Sequence, residues 1–76
     1  MALSENLMLA RKAKGYTTED IANKVNVGKQ AIGKYESGIR VPNGIILVEI
    51  AEVLGTTAEA LVKGKAENFL PENSNN

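Results

Sequence analysis

The stretch TEDIANKVNVGKQAIGKYESG, residues 18–38, decides how this chain is read. Apolar residues fall at Ile21, Ala22 and Val25, and again at Ala31, Ile32 and Tyr35. Each set keeps the three-to-four spacing of one helix face. The second helix of the chain therefore opens at Thr17, and the third starts near Gly28 and runs to about Ser37. Only Asn26 and Val27 separate them, and Asn tolerates a left-handed turn better than any residue but Gly. A connection this short forces the two helices to cross steeply, with interlocking inner faces. Ala22 sits where the third helix passes close, so it has to be small. Ile21, Val25, Val27, Ile32 and Tyr35 can then share one core.

The flanking sequence reads the same way. Thr17-Thr18-Glu19-Asp20 gives the second helix a cap and two acids in its first turn, where the helix dipole favours them. A first helix runs from Ser4 to Lys14 on a stripe of Leu3, Leu7 and Ala10, with Met8 beside it, and Gly15 stops it. Gly38 ends the third helix. Ile39-Arg40-Val41-Pro42 follows as a loop, because Pro42 pushes Val41 out of helical geometry. A fourth helix begins at Asn43 or Gly44 and ends at Gly55, striped by Ile46, Leu47, Ile50, Ala51 and Leu54. Thr57 caps a short fifth helix, Ala58 to Lys63, which Gly64 ends. No strand-like alternation of useful length is present, so the fold class is all-α, with five short helices. Residues 1–65 form the expected domain. Residues 66–76, with Pro71 and the run from Glu72 to Asn76, read as a polar tail that cannot bury enough surface to order itself.

The chain has 76 residues, enough for one domain with a modest core and marginal stability unless it dimerises. Cysteine and histidine are both absent. Disulfides, thiolate metal sites, the commonest general base and the commonest zinc ligand go with them. Its carboxylates stand beside no nucleophile, metal triad or glycine-rich phosphate loop. We therefore expect no enzymatic activity, no metal and no cofactor. The longest aliphatic run is Ile45 to Val48, ended by Glu49, and the first six residues form no signal segment. A cytoplasmic protein without membrane contact is the expectation. Net charge is zero, but it is unevenly spread. Residues 1–40 hold seven basic and four acidic side chains, and residues 41–76 hold two and five. Such a gradient can orient a neutral molecule on a polyanion.

The two-helix unit at 18–38 has the spacing of a helix-turn-helix, in which the second helix protrudes far enough to enter the DNA major groove. From Leu7 to Leu61 the chain resembles the phage repressor and Cro-type (XRE) family. The resemblance rests on Leu7, Ala10-Arg11, Gly15, Ile21-Ala22, Val25, Val27, Ile32, Tyr35-Glu36, Gly38, Arg40 and Pro42. It continues through Leu47, Ile50-Ala51, Leu54-Gly55 and Leu61. It implies a lambda-repressor-like fold with the helix-turn-helix at the second and third helices. It also implies a sequence-specific, double-stranded DNA-binding transcriptional regulator, a repressor acting as a homodimer on a palindromic operator.

The resemblance and the helix geometry together assign roles. Lys29, Gln30, Gly33 and Lys34, at the start and outer face of the third helix, read bases. Gln pairs bidentately with adenine, and Lys donates to guanine O6 and N7. Thr17, Thr18, Gly28, Ser37, Arg40 and Asn43 meet phosphate. Arg11 and Glu36 form a structural ion pair between the first and third helices. Two residues depart from the family pattern. Gly28 stands where Ser or Thr usually caps the recognition helix, and Gly33 stands mid-helix where a polar residue is usual. Gly33 reads either as room for close approach to a base or as a weakness tolerated in a packed helix, with the second preferred. Leu61, Val62 and Phe69 are the candidates for a dimer surface, with the core preferred for Leu61. Phe69 and the residues after it could clip the tail onto the fold or a partner chain. An alternative reading is an antitoxin-like protein-interaction module on the same fold. In either case a protein partner could control so small a chain.

Overall fold

A computed structural model describes residues 2–69. It has five α-helices and a closing 3-10 turn. These are α1 (Ala2–Lys14), α2 (Thr18–Val25), α3 (Lys29–Ser37), α4 (Gly44–Val53), α5 (Ala58–Lys63) and the turn Ala66–Phe69. No strand occurs among the described residues. The first helix starts two residues ahead of the expected Ser4. The fourth ends earlier than expected, with Leu54 as its cap and Gly55 in left-handed backbone.

Local chemistry sets the boundaries. Thr17 caps α2 in a reciprocal capping box: its hydroxyl accepts from the Asp20 N–H, and the Asp20 carboxylate accepts from the Thr17 N–H. Such a cap is worth about 1 kcal/mol over Ala. Asn43 and Thr57 cap α4 and α5 through their side-chain oxygens. Between α2 and α3, Asn26 takes left-handed backbone (φ 58°), the only described non-glycine residue to do so. Its N–H and that of Val27 both donate to the Ala22 carbonyl. The turn thus satisfies the backbone that ending α2 leaves open.

The core gathers one face from every helix. Leu3, Leu7 and Ala10 come from α1, Ile21, Ala22 and Val25 from α2, and Ile32 and Tyr35 from α3. Ile50 and Ala51 come from α4, Leu54 from its cap, and Leu61 from α5. Burying each large aliphatic side chain contributes roughly 1.5–3 kcal/mol. α1 is the common wall, packed against α3, α5 and the 3-10 turn, while α2 packs against α3 and α4. Pro42 is buried and fixes the loop between α3 and α4.

One expectation about the C-terminal end needs correction. The polar tail was expected to start at 66, yet Ala66–Phe69 forms a turn packed on α1. Phe69 supplies the reason: its ring is half-buried against the core, which gives this short segment apolar surface to bury. The rest of the expected tail, 70–76, lies outside the described residues. Of the three residues considered for a dimer surface, Leu61 is fully buried, the core place preferred for it from the sequence, while Phe69 packs inward and Val62 is exposed.

The sequence reading missed Asn6. This side chain is completely buried, and its Nδ2 donates to the Leu61 and Gly64 carbonyls, both at 2.8 Å. Those carbonyls end α5 and have no later helical N–H to pair with. Asn6 thereby ties the end of the fold to its beginning. Gly64 has its own constraint, since a Cβ there would run into the Ala60 carbonyl oxygen. Replacing Asn6 by Ala leaves two carbonyls at this end without their donor, and we predict a loss of about 2–3 kcal/mol in urea unfolding. An unchanged unfolding midpoint would contradict this role.

Candidate nucleic-acid interface

α3 has two contrasting sides. Ile32 and Tyr35 are buried and Ala31 is half-buried, and at 100° per residue they share one side of the helix. Lys29, Gln30, Gly33, Lys34 and Ser37 occupy the opposite side, and all five are exposed. The four residues proposed to read bases therefore lie together on one solvent-facing surface. Among the described residues, neither Lys29 nor Lys34 enters an ion pair.

The N-terminus of α3 is open. Gly28 is its cap and provides no side-chain hydrogen bond, whereas α2, α4 and α5 are each capped by a side chain. The first N–H groups of α3 thus lack a side-chain acceptor, and the positive end of the helix dipole is left for an external anion. The exposed Gly28 marks this in the sequence.

The phosphate candidates differ in what they can still offer. Thr17 uses its hydroxyl oxygen to cap α2, so its O–H proton remains a donor. Asn43 caps α4 through Oδ1, so its amide NH2 remains a donor. Ser37 donates its proton to the Lys34 carbonyl at 3.2 Å, which removes that donor. Thr18 is half-buried at the first position of α2. Arg40 is exposed in the loop and enters no ion pair among the described residues.

Behind this face, Arg11 and Glu36 meet. Arg11 Nε donates to Glu36 Oε2 at 2.6 Å, and Nη2 donates to Oε1 at 3.0 Å. Nη1 donates to the Tyr16 carbonyl at 2.8 Å, a backbone acceptor that no sequence pattern announces. The pair is a two-pronged fork with side chains only 13% and 11% exposed. Hydrogen bonding to Glu36 raises the Arg11 pKa above its ordinary value; burial opposes this and the Glu36 charge adds to it. One fork thus joins α1, the turn after α1 and the end of α3. Removing one partner strands the other, so Arg11→Ala should lower stability by about 3 kcal/mol. The double variant Arg11→Met with Glu36→Leu should lose less than Arg11→Ala, because no charge is left stranded. A double variant less stable than Arg11→Ala in urea unfolding would contradict that account.

Gly33 has no internal reason to be glycine. It is helical, and a Cβ there would meet nothing within 4 Å. Gly33→Ala should therefore gain about 1 kcal/mol, the helix-propensity difference. Calorimetry would show it as a melting temperature higher by roughly 4–8 °C; a lower melting temperature would contradict it.

Comparison with known proteins agrees with this geometry. A helix-turn-helix family model matches residues 7–61. The SPbeta prophage-derived uncharacterized HTH-type transcriptional regulator YonR of Bacillus subtilis (strain 168) is 32% identical over 65 residues. That match covers 86% of this chain and 60% of YonR. The uncharacterized HTH-type transcriptional regulator YqaE of the same organism is 35% identical over 63 residues, covering 83% of this chain and 54% of YqaE. The chain therefore spans a little over half the length of these relatives. Among solved structures, the DNA-binding domain of the P22 C2 repressor (residues 1–76) superposes with a TM-score of 0.80 at 25% identity, covering 84% of each chain. With α2 and α3 packed together across a short turn, its buried fork and this match, the chain belongs to the repressor-type (XRE) helix-turn-helix family.

Proposed function

We propose that this chain binds duplex DNA sequence-specifically as a transcriptional regulator, a repressor in type, with α3 in the major groove. The observation that carries this reading is the outer face of α3: Lys29, Gln30, Gly33 and Lys34 exposed together on a helix whose other side is core. Membership of a family whose relatives are named as transcriptional regulators supports it. So does the likeness to a repressor's DNA-binding domain.

In this reading the five helices, closed by the turn Ala66–Phe69, are the DNA-binding body. Gln30 accepts from and donates to one adenine edge, and Lys34 donates to guanine O6 and N7. Lys29 serves the nearest base or phosphate. The open start of α3 at Gly28 and the Thr17 hydroxyl hold one phosphate run. Arg40 and the Asn43 amide hold another, so the two runs flank the inserted helix. Ser37 joins them only by giving up its bond to the Lys34 carbonyl. One helix contacts few base pairs, so the operator is a palindrome bound by two copies, with half-sites about one helical turn apart. Nothing in this mechanism calls for a catalytic step, a metal or a cofactor. The chain acts wherever duplex DNA is accessible to it.

The test is selection of bound sequences from randomised duplex DNA, followed by binding to the recovered site over a salt series. An enriched palindrome is expected. Gln30→Ala should lose about 1–3 kcal/mol on that site, relax one position and leave the salt dependence unchanged. Arg40→Ala should weaken all sequences alike and reduce the log–log salt slope by about 1. A folded protein that enriches no sequence at low salt would overturn the reading and direct the search to a protein partner.

A further inference from the structure

Asn43 is the only asparagine in the chain that a glycine follows. Both residues are exposed at the start of α4. Gly44 holds the first helical position, its backbone is not left-handed, and a Cβ there would meet nothing within 4 Å. Neither conformation nor space therefore calls for glycine. The missing side chain leaves the Gly44 nitrogen unshielded beside the Asn43 side chain. Its N–H is the first of the four that a helix leaves without an internal acceptor. Asn43 Oδ1, for its part, accepts from the Ile46 N–H at 2.9 Å.

We propose that Asn43-Gly44 is a self-modification site, where attack by the Gly44 nitrogen removes the Asn43 side-chain amide. The Gly44 nitrogen gives its proton to solvent base and bonds to Asn43 Cγ. The Cγ–Nδ2 bond breaks, and Nδ2 takes a proton and leaves as ammonia. Water then opens the resulting five-membered succinimide to aspartate or isoaspartate. The balance is amide plus water giving carboxylate plus ammonia, with no change of oxidation state. The start of α4 assists in two ways. The Ile46 N–H donates to the oxygen on which negative charge collects as Cγ becomes tetrahedral, as an oxyanion hole does. The positive end of the helix dipole favours the deprotonated Gly44 nitrogen. Turning that nitrogen toward Cγ disturbs one exposed helix bond, from the Leu47 N–H to the Asn43 carbonyl.

The product spares the fold and changes the binding face. Asp caps a helix as well as Asn does, and its charge suits the helix N-terminus. The consequence for DNA rests on the reading above, which gives the Asn43 NH2 to a phosphate. A carboxylate has no such donor and brings negative charge to the same place. Each copy thus has a slow, one-way route from a binding to a non-binding form, governed by its age.

The experiment keeps the folded chain in mildly alkaline and mildly acidic buffer and then cleaves it after Lys and Arg. Residues 41–63 come off as one fragment, in which Asn43 is the only side-chain amide. Its mass should rise by the exchange of NH2 for OH, faster in the alkaline buffer, while the fragments holding Asn23 and Asn26 stay unchanged. Gly44→Ala should abolish the rise. Reacted and unreacted chains differ in charge and are separated on that basis. The reacted chain should bind the recovered DNA site about 10- to 150-fold more weakly, the worth of one hydrogen bond to a charged group. Its circular dichroism should be unchanged, and freshly made Asn43→Asp should match it. Fresh Gly44→Ala should bind like the fresh natural chain and keep that affinity with age. A fragment 41–63 that gains no more mass than those of Asn23 and Asn26 overturns the site, as does a Gly44→Ala chain that reacts equally fast. A reacted chain of undiminished affinity overturns the effect on binding. A fresh natural chain that binds no DNA overturns the DNA reading, while the mass rise still decides the reaction.

Discussion

The fork between the Arg11 guanidinium and the Glu36 carboxylate is where the fold and the exposed side of α3 are tied together. α3 has nine residues, a glycine at its fifth position and no side-chain cap. Such a segment would not persist as a helix in isolation, since short helices are marginal and an interior glycine costs about 1 kcal/mol. Its order comes from outside. Ile32 and Tyr35 hold its inner face in the core, and the fork holds its C-terminal half to α1. Because Arg11 also donates to the Tyr16 carbonyl, the same guanidinium fixes the turn that leads into α2. The open N-terminus and the exposed lysines of α3 are features a free helix could not keep.

Much of this was legible in the sequence, for identifiable reasons. The spacing of Ile21, Ala22, Val25, Ile32 and Tyr35 identifies two packed helices, because a core forces helical periodicity on apolar residues. Asn26, Thr17 and Thr57 announced their turn and caps, because those conformations admit few residue types. Asn6 was not legible. A lone Asn inside an amphipathic stripe looks like a surface residue until α5 supplies the two carbonyls it bonds, 55 and 58 positions away. The turn at Ala66–Phe69 escaped for a related reason: its local composition is polar, and its one aromatic ring finds a place only after α1 and α5 have packed.

Which residues share the exposed side of α3 was legible; what each side chain is already bonded to was not. Periodicity alone sets Lys29, Gln30, Gly33 and Lys34 opposite the core. It cannot say that Ser37 donates to a carbonyl, or that Thr17 and Asn43 cap helices with their oxygens and keep donors to spare. Those distinctions decide which groups can meet a phosphate. Zero net charge also misleads when taken as a whole. Basic residues crowd the first forty positions, and carboxylates such as Glu49, Glu52, Glu59 and Glu67 follow later, so the first half of the chain is positive while the molecule is neutral.

In the proposed function DNA sits on the outer face of α3, framed by the start of α2 and the loop before α4. Amide NMR of the labelled chain, titrated with duplex DNA, tests it most directly. Shifts should concentrate on Gly28 to Lys34, Thr17, Thr18, Arg40 and Asn43, with the α5 amides from Ala58 to Lys63 nearly still. Shifts gathered on α5, with those of α3 unmoved, would contradict it.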